Sequence, residues 1–195
     1  MKSLEEHLAE AAAFHGESCP GQVLGVRLAR AGLSRVGIDD PLAEGARKQL
    51  IVFVEIDRCA ADAIMAVTGC RVGKRSLKVI DYGVMAATFL NLENGRAVRV
   101  VAREEARGLA AAYASGDDGK YEQQRRAYEV MPEDELFSFE EVEVGVPPED
   151  MPGRPLSRVR CQRCGDHVQD RRERVVDGAV LCRACAEGGY FRRKG

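Results

Sequence analysis

The chain has 195 residues, 29 Lys/Arg against 31 Asp/Glu, 45% hydrophobic and 31% charged side chains, which suits one medium globular domain plus a small one. Its N-terminus, Met1-Lys2-Ser3-Leu4-Glu5-Glu6-His7, has no apolar h-region, and its longest strongly apolar run is Leu50–Val54. A secretory signal and a membrane span are thereby excluded, and a cytoplasmic protein is expected.

Ser3-Leu4-Glu5-Glu6 reads as a capping box, and Leu4, Leu8, Ala11 and Ala12 recur at helical spacing up to Gly16. Pro20 suits the first position of a second helix, with Leu24, Leu28, Ala31 and Val36 as its stripe and Gly37 at its end. Leu50–Ile56 is β-branched and almost wholly apolar, which predicts a buried central strand. Asp57 is placed to cap a short helix running through Ile64 and Val67 to Gly69. Further strands are expected at Leu77–Ile80, Val84–Leu92 and Ala97–Ala102, the last two turning at Glu93-Asn94-Gly95. Helices follow at Glu104–Ala114 and Tyr121–Val130, separated by Gly116-Asp117-Asp118-Gly119, and a last strand at Leu136–Val144. Trp is absent and aromatics reach 6%, so the core must be aliphatic. Helices at the ends and strands grouped in the middle give an α+β core over residues 1–146.

Residues 147–155 hold four prolines, which makes a semi-rigid linker, and residues 156–195 form a second, small domain. From Arg154 onward there are 11 Lys/Arg against 5 Asp/Glu, leaving 18 against 26 for the rest. That asymmetry hints at a polyanionic partner for the tail, although four thiolates on one Zn²⁺ would lower the surplus by about two charges.

Cys161-Gln162-Arg163-Cys164 and Cys182-Arg183-Ala184-Cys185 are CxxC pairs with 17 residues between them, the spacing of a four-cysteine zinc site. Glu173–Leu181 fits a hairpin turning at Asp177-Gly178, and the second pair opens a short helix through Ala186. The order knuckle, hairpin, helix resembles a treble-clef finger. Chains of about 40 residues seldom fold alone, whereas structural zinc supplies roughly 10–16 kcal/mol, so the four cysteines are expected to hold one structural Zn²⁺ with no open position. A redox dithiol pair and an iron–sulfur cluster are the other readings of the motif, and His167 is a substitute ligand three residues after Cys164.

His15, Cys19, Cys59 and Cys70 are the remaining chemistry-bearing residues. Cys19 stands before Pro20-Gly21 at a predicted helix start, where free N–H groups and the helix dipole favour a thiolate. His15 lies four residues earlier, within reach as base or co-ligand. Together with Cys59 these groups could form a metal site with an open position, or an activated nucleophile. Each thiol also has a plainer reading as a small buried hydrophobe. Lys74 and Asp81 could reach a ligand but equally suit solvated or turn positions.

The run Phe14-His15-Gly16-Glu17-Ser18-Cys19-Pro20-Gly21 resembles the HGxxCPG opening of the FmdE family, proteins similar to a non-catalytic subunit of formylmethanofuran dehydrogenase. Glu55-Ile56-Asp57-Arg58-Cys59-Ala60-Ala61-Asp62-Ala63-Ile64, Val67-Thr68-Gly69-Cys70, Gly73-Lys74, Asp81-Tyr82-Gly83 and Ala86-Ala87-Thr88-Phe89 continue the match in order. Some family members carry an appended C-terminal zinc finger. The resemblance implies an α+β core with a metal-binding or active cleft around His15, Cys19 and Cys59, in a protein attached to a molybdenum or tungsten oxidoreductase system without being its catalytic chain. Glu17 stands where many relatives have a second His, and Val84 where a Lys is usual; a carboxylate can replace imidazole as a ligand.

Three functions follow from these readings. The first is a metal-binding accessory protein, with a second metal in the core and the zinc finger docking a protein partner such as subunits of that oxidoreductase. The second is a transcription regulator or nucleic-acid binder, because the finger is similar to those of DksA/TraR-type regulators of RNA polymerase. Arg171, Arg172, Arg174, Arg192, Arg193 and Lys194 would then meet phosphates. The third is a thiol-dependent enzyme using Cys19. A homodimer is compatible with all three, and no membrane partner is expected.

Overall fold

Ser3 accepts the Glu6 backbone N–H while the Glu6 side chain accepts the Ser3 N–H, so the capping box starts α1 (Leu4–His15) as the sequence requires. Pro20 opens α2 (Pro20–Val36), the organising helix of the core, which is buried along most of its length. The computed structural model describes residues 1–44, 46–114, 119–192 and 194. The expected break at Gly116-Asp117-Asp118 and the tail residue Arg193 lie outside the described residues. The chain divides into two compact units, Met1–Gly145 and Val146–Gly195.

In the first unit, β1 (Leu50–Val54), β2 (Leu77–Val79), β3 (Ala86–Asn91), β4 (Ala97–Ala102) and β5 (Phe137–Glu141) form one sheet in the order β2-β1-β3-β4-β5. Only β1 and β2 run parallel, the chain between them forming α3 (Cys59–Thr68). The remaining neighbours are antiparallel. β1 is flanked on both sides, as its apolar run requires, yet the middle strand is β3, in which every residue is buried. β1 also stops at Val54, before the expected Ile56. α4 (Glu105–Tyr113) and α5 (Lys120–Val130) pack on each other, and a short α6 (Glu133–Leu136) takes the start of what the sequence reads as the last strand.

Asp57 is not the cap of α3. Arg58 holds that place with no side-chain hydrogen bond, and Cys59 is the first helical residue.

α2 packs against β3, β4, α3 and α5. It approaches β3 closely because a Cβ at Gly32 would fall 2.2 Å from the Phe89 ring. Its partner α5 ends on carbonyls without helical donors, and the Arg27 guanidinium fills that gap, donating to the oxygens of Tyr128 (2.8 Å), Glu129 (2.9 Å) and Met131 (2.9 Å). The end of α2 is closed in the same way by Asn91, whose Nδ2 donates to the Val36 oxygen at 3.0 Å.

Just past β1, the buried Glu55 carboxylate accepts two bonds from Arg99 of β4, at 2.7 and 2.8 Å. The pairing pushes the Arg99 guanidinium further into its charged form, first through the Glu55 hydrogen bond. Arg99→Met would leave Glu55 enclosed without its countercharge. We expect a loss of about 2 kcal/mol by urea denaturation, below the ~3–5 kcal/mol of a fully enclosed pair because Arg99 retains some water contact.

The second unit holds two short hairpins, β6 (Arg158–Arg160) with β7 (His167–Gln169) and β8 (Arg174–Val176) with β9 (Ala179–Leu181), followed by α7 (Arg183–Glu187). The Asp177-Gly178 hairpin and the terminal helix match the sequence; the β6–β7 hairpin is an addition to it. Among the described residues of this unit only Cys161, Asp170 and Leu181 are buried. No described helix of the chain is long and apolar enough to cross a membrane.

Candidate metal centres

In the small unit the first CxxC pair sits in the turn between β6 and β7, and the second opens α7. Cys161 N–H donates to the Asp166 oxygen at 2.9 Å and Gly165 N–H to the Cys161 oxygen at 2.9 Å, which folds the knuckle back on itself. Gly165 adopts φ +80°, a turn that a side chain would strain. Gln162 ties this knuckle to β9: its N–H donates to the Val180 oxygen and its Oε1 accepts the Val180 N–H, both at 2.9 Å.

One sulfur each from Cys161, Cys164, Cys182 and Cys185 lies within 4.8 Å of the others, and the Cys164 and Cys182 sulfurs are 3.8 Å apart. A tetrahedral ion with bonds of about 2.3 Å sets its sulfurs about 3.8 Å apart, the spacing of the Cys164–Cys182 pair, so the four donors suit zinc. Backbone N–H groups of Cys164 and Cys182 aim at the Cys161 sulfur and pull its pKa down to about 6. The Cys164 thiol accepts the Asp166 N–H, which lowers it, but burial, the Asp166 carboxylate and the neighbouring thiols drive it up to about 12. Loading an ion therefore expels protons from the cluster. His167 is exposed on β7 and outside the group.

The core holds a second convergence. His15 is the last residue of α1, Cys19 caps α2 with its sulfur accepting the Gln22 N–H at 3.3 Å, and Cys59 begins α3. Three helix ends meet there because α2 carries glycines, Gly21 and Gly25, where α3 lies closest to it. A Cβ at Gly21 would lie 3.2 Å from Cys59 Cβ, and one at Gly25 would lie 2.7 Å from both Ala60 Cα and Ala63 Cβ. As a result one donor atom from each of His15, Cys19 and Cys59 lies within 4.8 Å of the other two. Cys19 is buried and the other two are partly exposed.

Several groups that carry no motif in the sequence surround this cluster. Asp62, one helical turn after Cys59, accepts the His15 Nδ1–H at 2.8 Å. Gln22 Nε2 donates to the Cys59 oxygen at 2.6 Å, and its Oε1 is buried with no partner in the protein. The Tyr121 phenol of α5, itself an exposed side chain, has its pKa raised by desolvation first and then by the charge of Cys19. Cys59 is pushed up by burial and by its hydrogen bond with Cys19. Spacing could have flagged Asp62, at i+3 from Cys59 on a helix; nothing in the sequence signals Tyr121.

The donor set of one imidazole and two thiols suits a borderline transition metal, and three protein ligands leave a fourth position open. Cys70 does not join it: its thiol points to the Leu50 oxygen at 3.9 Å, and burial raises its pKa. Asp81 accepts the Gly83 N–H in a turn at 3.0 Å, and Lys74 is exposed at the end of a short turn over Val72–Lys74. Glu17 is exposed and also outside the group.

The family model described as FmdE, molybdenum formylmethanofuran dehydrogenase operon, matches residues 14–143. The model of the prokaryotic dksA/traR C4-type zinc finger matches residues 154–189. With the four-cysteine cluster, that finger match supports zinc binding. Among curated proteins, the chain is 28% identical over 215 aligned residues to a probable S-adenosyl-L-methionine-binding protein of Archaeoglobus fulgidus, covering 98% of this chain and 55% of that protein. It thus spans about half the length of that relative. Among solved structures, a tungsten formylmethanofuran dehydrogenase FmdE-like protein from Syntrophus aciditrophicus superposes with a TM-score of 0.65 at 20% identity, covering 98% of this chain and 96% of that one. The likeness shows a common fold with a mixed helix and sheet core, and the C-terminal region of this chain carries the four-cysteine finger motif.

Proposed function

This chain belongs to the FmdE family, and from that premise we propose that it is a metal-binding accessory protein with one ion in the core and one in the finger. The core ion is held by His15, Cys19 and Cys59; the finger ion, a structural zinc, is held by Cys161, Cys164, Cys182 and Cys185. The observation that carries this reading is the meeting of three donors from three separate helix ends within 4.8 Å.

When bound, the core ion supplies a Lewis acid with one exchangeable position. The chain's own residues do the rest. Gln22 N–H holds the Cys19 sulfur, and Gln22 Nε2 fixes the backbone at Cys59.

The finger is the docking element in this proposal, toward protein subunits of a molybdenum or tungsten oxidoreductase system. Protein is favoured over nucleic acid because several of its arginines are already engaged within the unit. Arg172 pairs with Asp150, and Arg174 and Arg183 both reach Glu187. All seven cysteines are free thiols, which suits the reducing cytoplasm.

Elemental analysis of the purified full chain tests the two-metal reading. We expect two transition-metal ions per chain, and one in Cys19→Ala with the finger zinc retained. A single ion in the wild-type chain, unchanged by Cys19→Ala, would refute the core site.

A further inference from the structure

The His15 ring has two nitrogens, and only a ring held in one tautomer and one orientation makes a good ligand. Its Nδ1 lies 2.8 Å from Asp62 Oδ2. An ionised carboxylate can only accept, so Nδ1 carries the proton and the lone pair is left on Nε2. Asp62 stands three residues after Cys59 on α3, so one helix face carries both a donor thiol and the carboxylate that aims the histidine. His15 itself comes from α1, which packs against α3. With the imidazole neutral, this partly exposed contact is a hydrogen bond that adds little to stability, about 1 kcal/mol or less.

We propose that Asp62 is the positioning residue of the core centre, fixing His15 as an Nε2 donor for a divalent transition metal such as zinc, cobalt or nickel. The assignment rests on the reading of His15, Cys19 and Cys59 as a metal site, and deepens it by naming the carboxylate behind the imidazole. Hard cations such as magnesium or calcium are excluded by the two sulfurs and the imidazole, which prefer borderline ions. Carboxylate–histidine–metal relays orient the ring and raise its basicity, and their loss weakens metal affinity by about 10- to 100-fold.

The experiment uses the full chain with the finger loaded by one zinc, and titrates Co²⁺ into the core against a competing chromophoric chelator. Thiolate-to-cobalt absorption reports the ion directly, and thermal melting of the cobalt-free protein monitors the fold. Asp62→Ala is expected to bind cobalt about 10- to 100-fold more weakly, with little change in the melting temperature. Asp62→Asn, whose amide oxygen can still accept from Nδ1, is expected to recover most of the affinity. If the wild-type chain takes up no cobalt beyond the finger, the site reading fails and Asp62 falls with it. If the wild-type chain takes up cobalt and Asp62→Ala does so equally tightly, the site stands and the role of Asp62 is overturned. Equal losses in the Ala and Asn variants would likewise overturn an accepting role for this position.

Discussion

Stripping zinc from the full chain is expected to unfold residues 146–195 while residues 1–145 keep their structure. The small unit buries only three of its described residues, and Leu181 is the one large aliphatic side chain among them. Its hairpins have three-residue strands and its helix has five residues, too short to persist alone. Against that, four thiolates on zinc supply roughly 10–16 kcal/mol of apparent free energy, far more than the unit's apolar burial. Two-dimensional NMR during chelation under reducing conditions would show it. Signals of the tail should collapse to unfolded positions, and those of the five-stranded sheet should stay. A tail that kept its dispersed signals without metal would sink the account. Acid should act in the same direction as chelation, since the ion can be held only by deprotonated sulfur.

Gly25→Leu is expected to destabilise the core by upwards of ~3 kcal/mol and to abolish its metal uptake together. Replacing a helical glycine by alanine ordinarily gains about 0.5–1 kcal/mol by restricting the unfolded chain. At Gly25 the sign reverses, because the first added carbon already lies 2.7 Å from Ala60 Cα and 2.8 Å from the Ala60 oxygen. Backbone cannot rotate aside as a side chain can, so α3 must move. Leucine adds three more carbons in the same place, beyond the ~1–3 kcal/mol typical of overpacking. The displacement carries Cys59 away from Cys19, which couples the loss of stability to the loss of the ion. Gly108→Ala is the control. It also lies inside a helix but meets nothing within 4 Å, and it should stabilise by roughly 0.5–1 kcal/mol. Urea midpoints of the two variants in opposite directions, with metal counts falling only in the first, would establish the point. A Gly25→Leu chain as stable as wild type would refute it.

The features legible in the sequence are those fixed by local chemistry. Ser3 with Glu6, Pro20 and Gly37 mark α1 and α2 because caps and breakers act within one turn. The paired cysteines of the finger are readable because a metal demands fixed spacing. What stays hidden depends on contacts distant along the chain. Cap preference puts the start of α3 at Asp57, whereas the helix begins where Cys59 seats against Gly21. The His15–Asp62 pair joins residues 47 apart, and the chain gives no sign of it until α1 and α3 are docked. The β6–β7 strands are three residues long and mostly exposed, so they carry no alternating pattern to read. β1 and β3 are both nearly all apolar, and composition alone cannot say which one occupies the middle of the sheet.

Of the three helices that supply donors, α1 is the most lightly held, with only His7 and Ala11 fully inside. Elements of this kind open by local fluctuation long before the whole domain unfolds. Each such opening withdraws the imidazole and leaves two sulfurs, too few to retain an ion firmly. In the proposed core site, the residence time of a cation would therefore be governed by how often the N-terminal helix lifts away, and ion exchange would proceed while the sheet behind it never loosens.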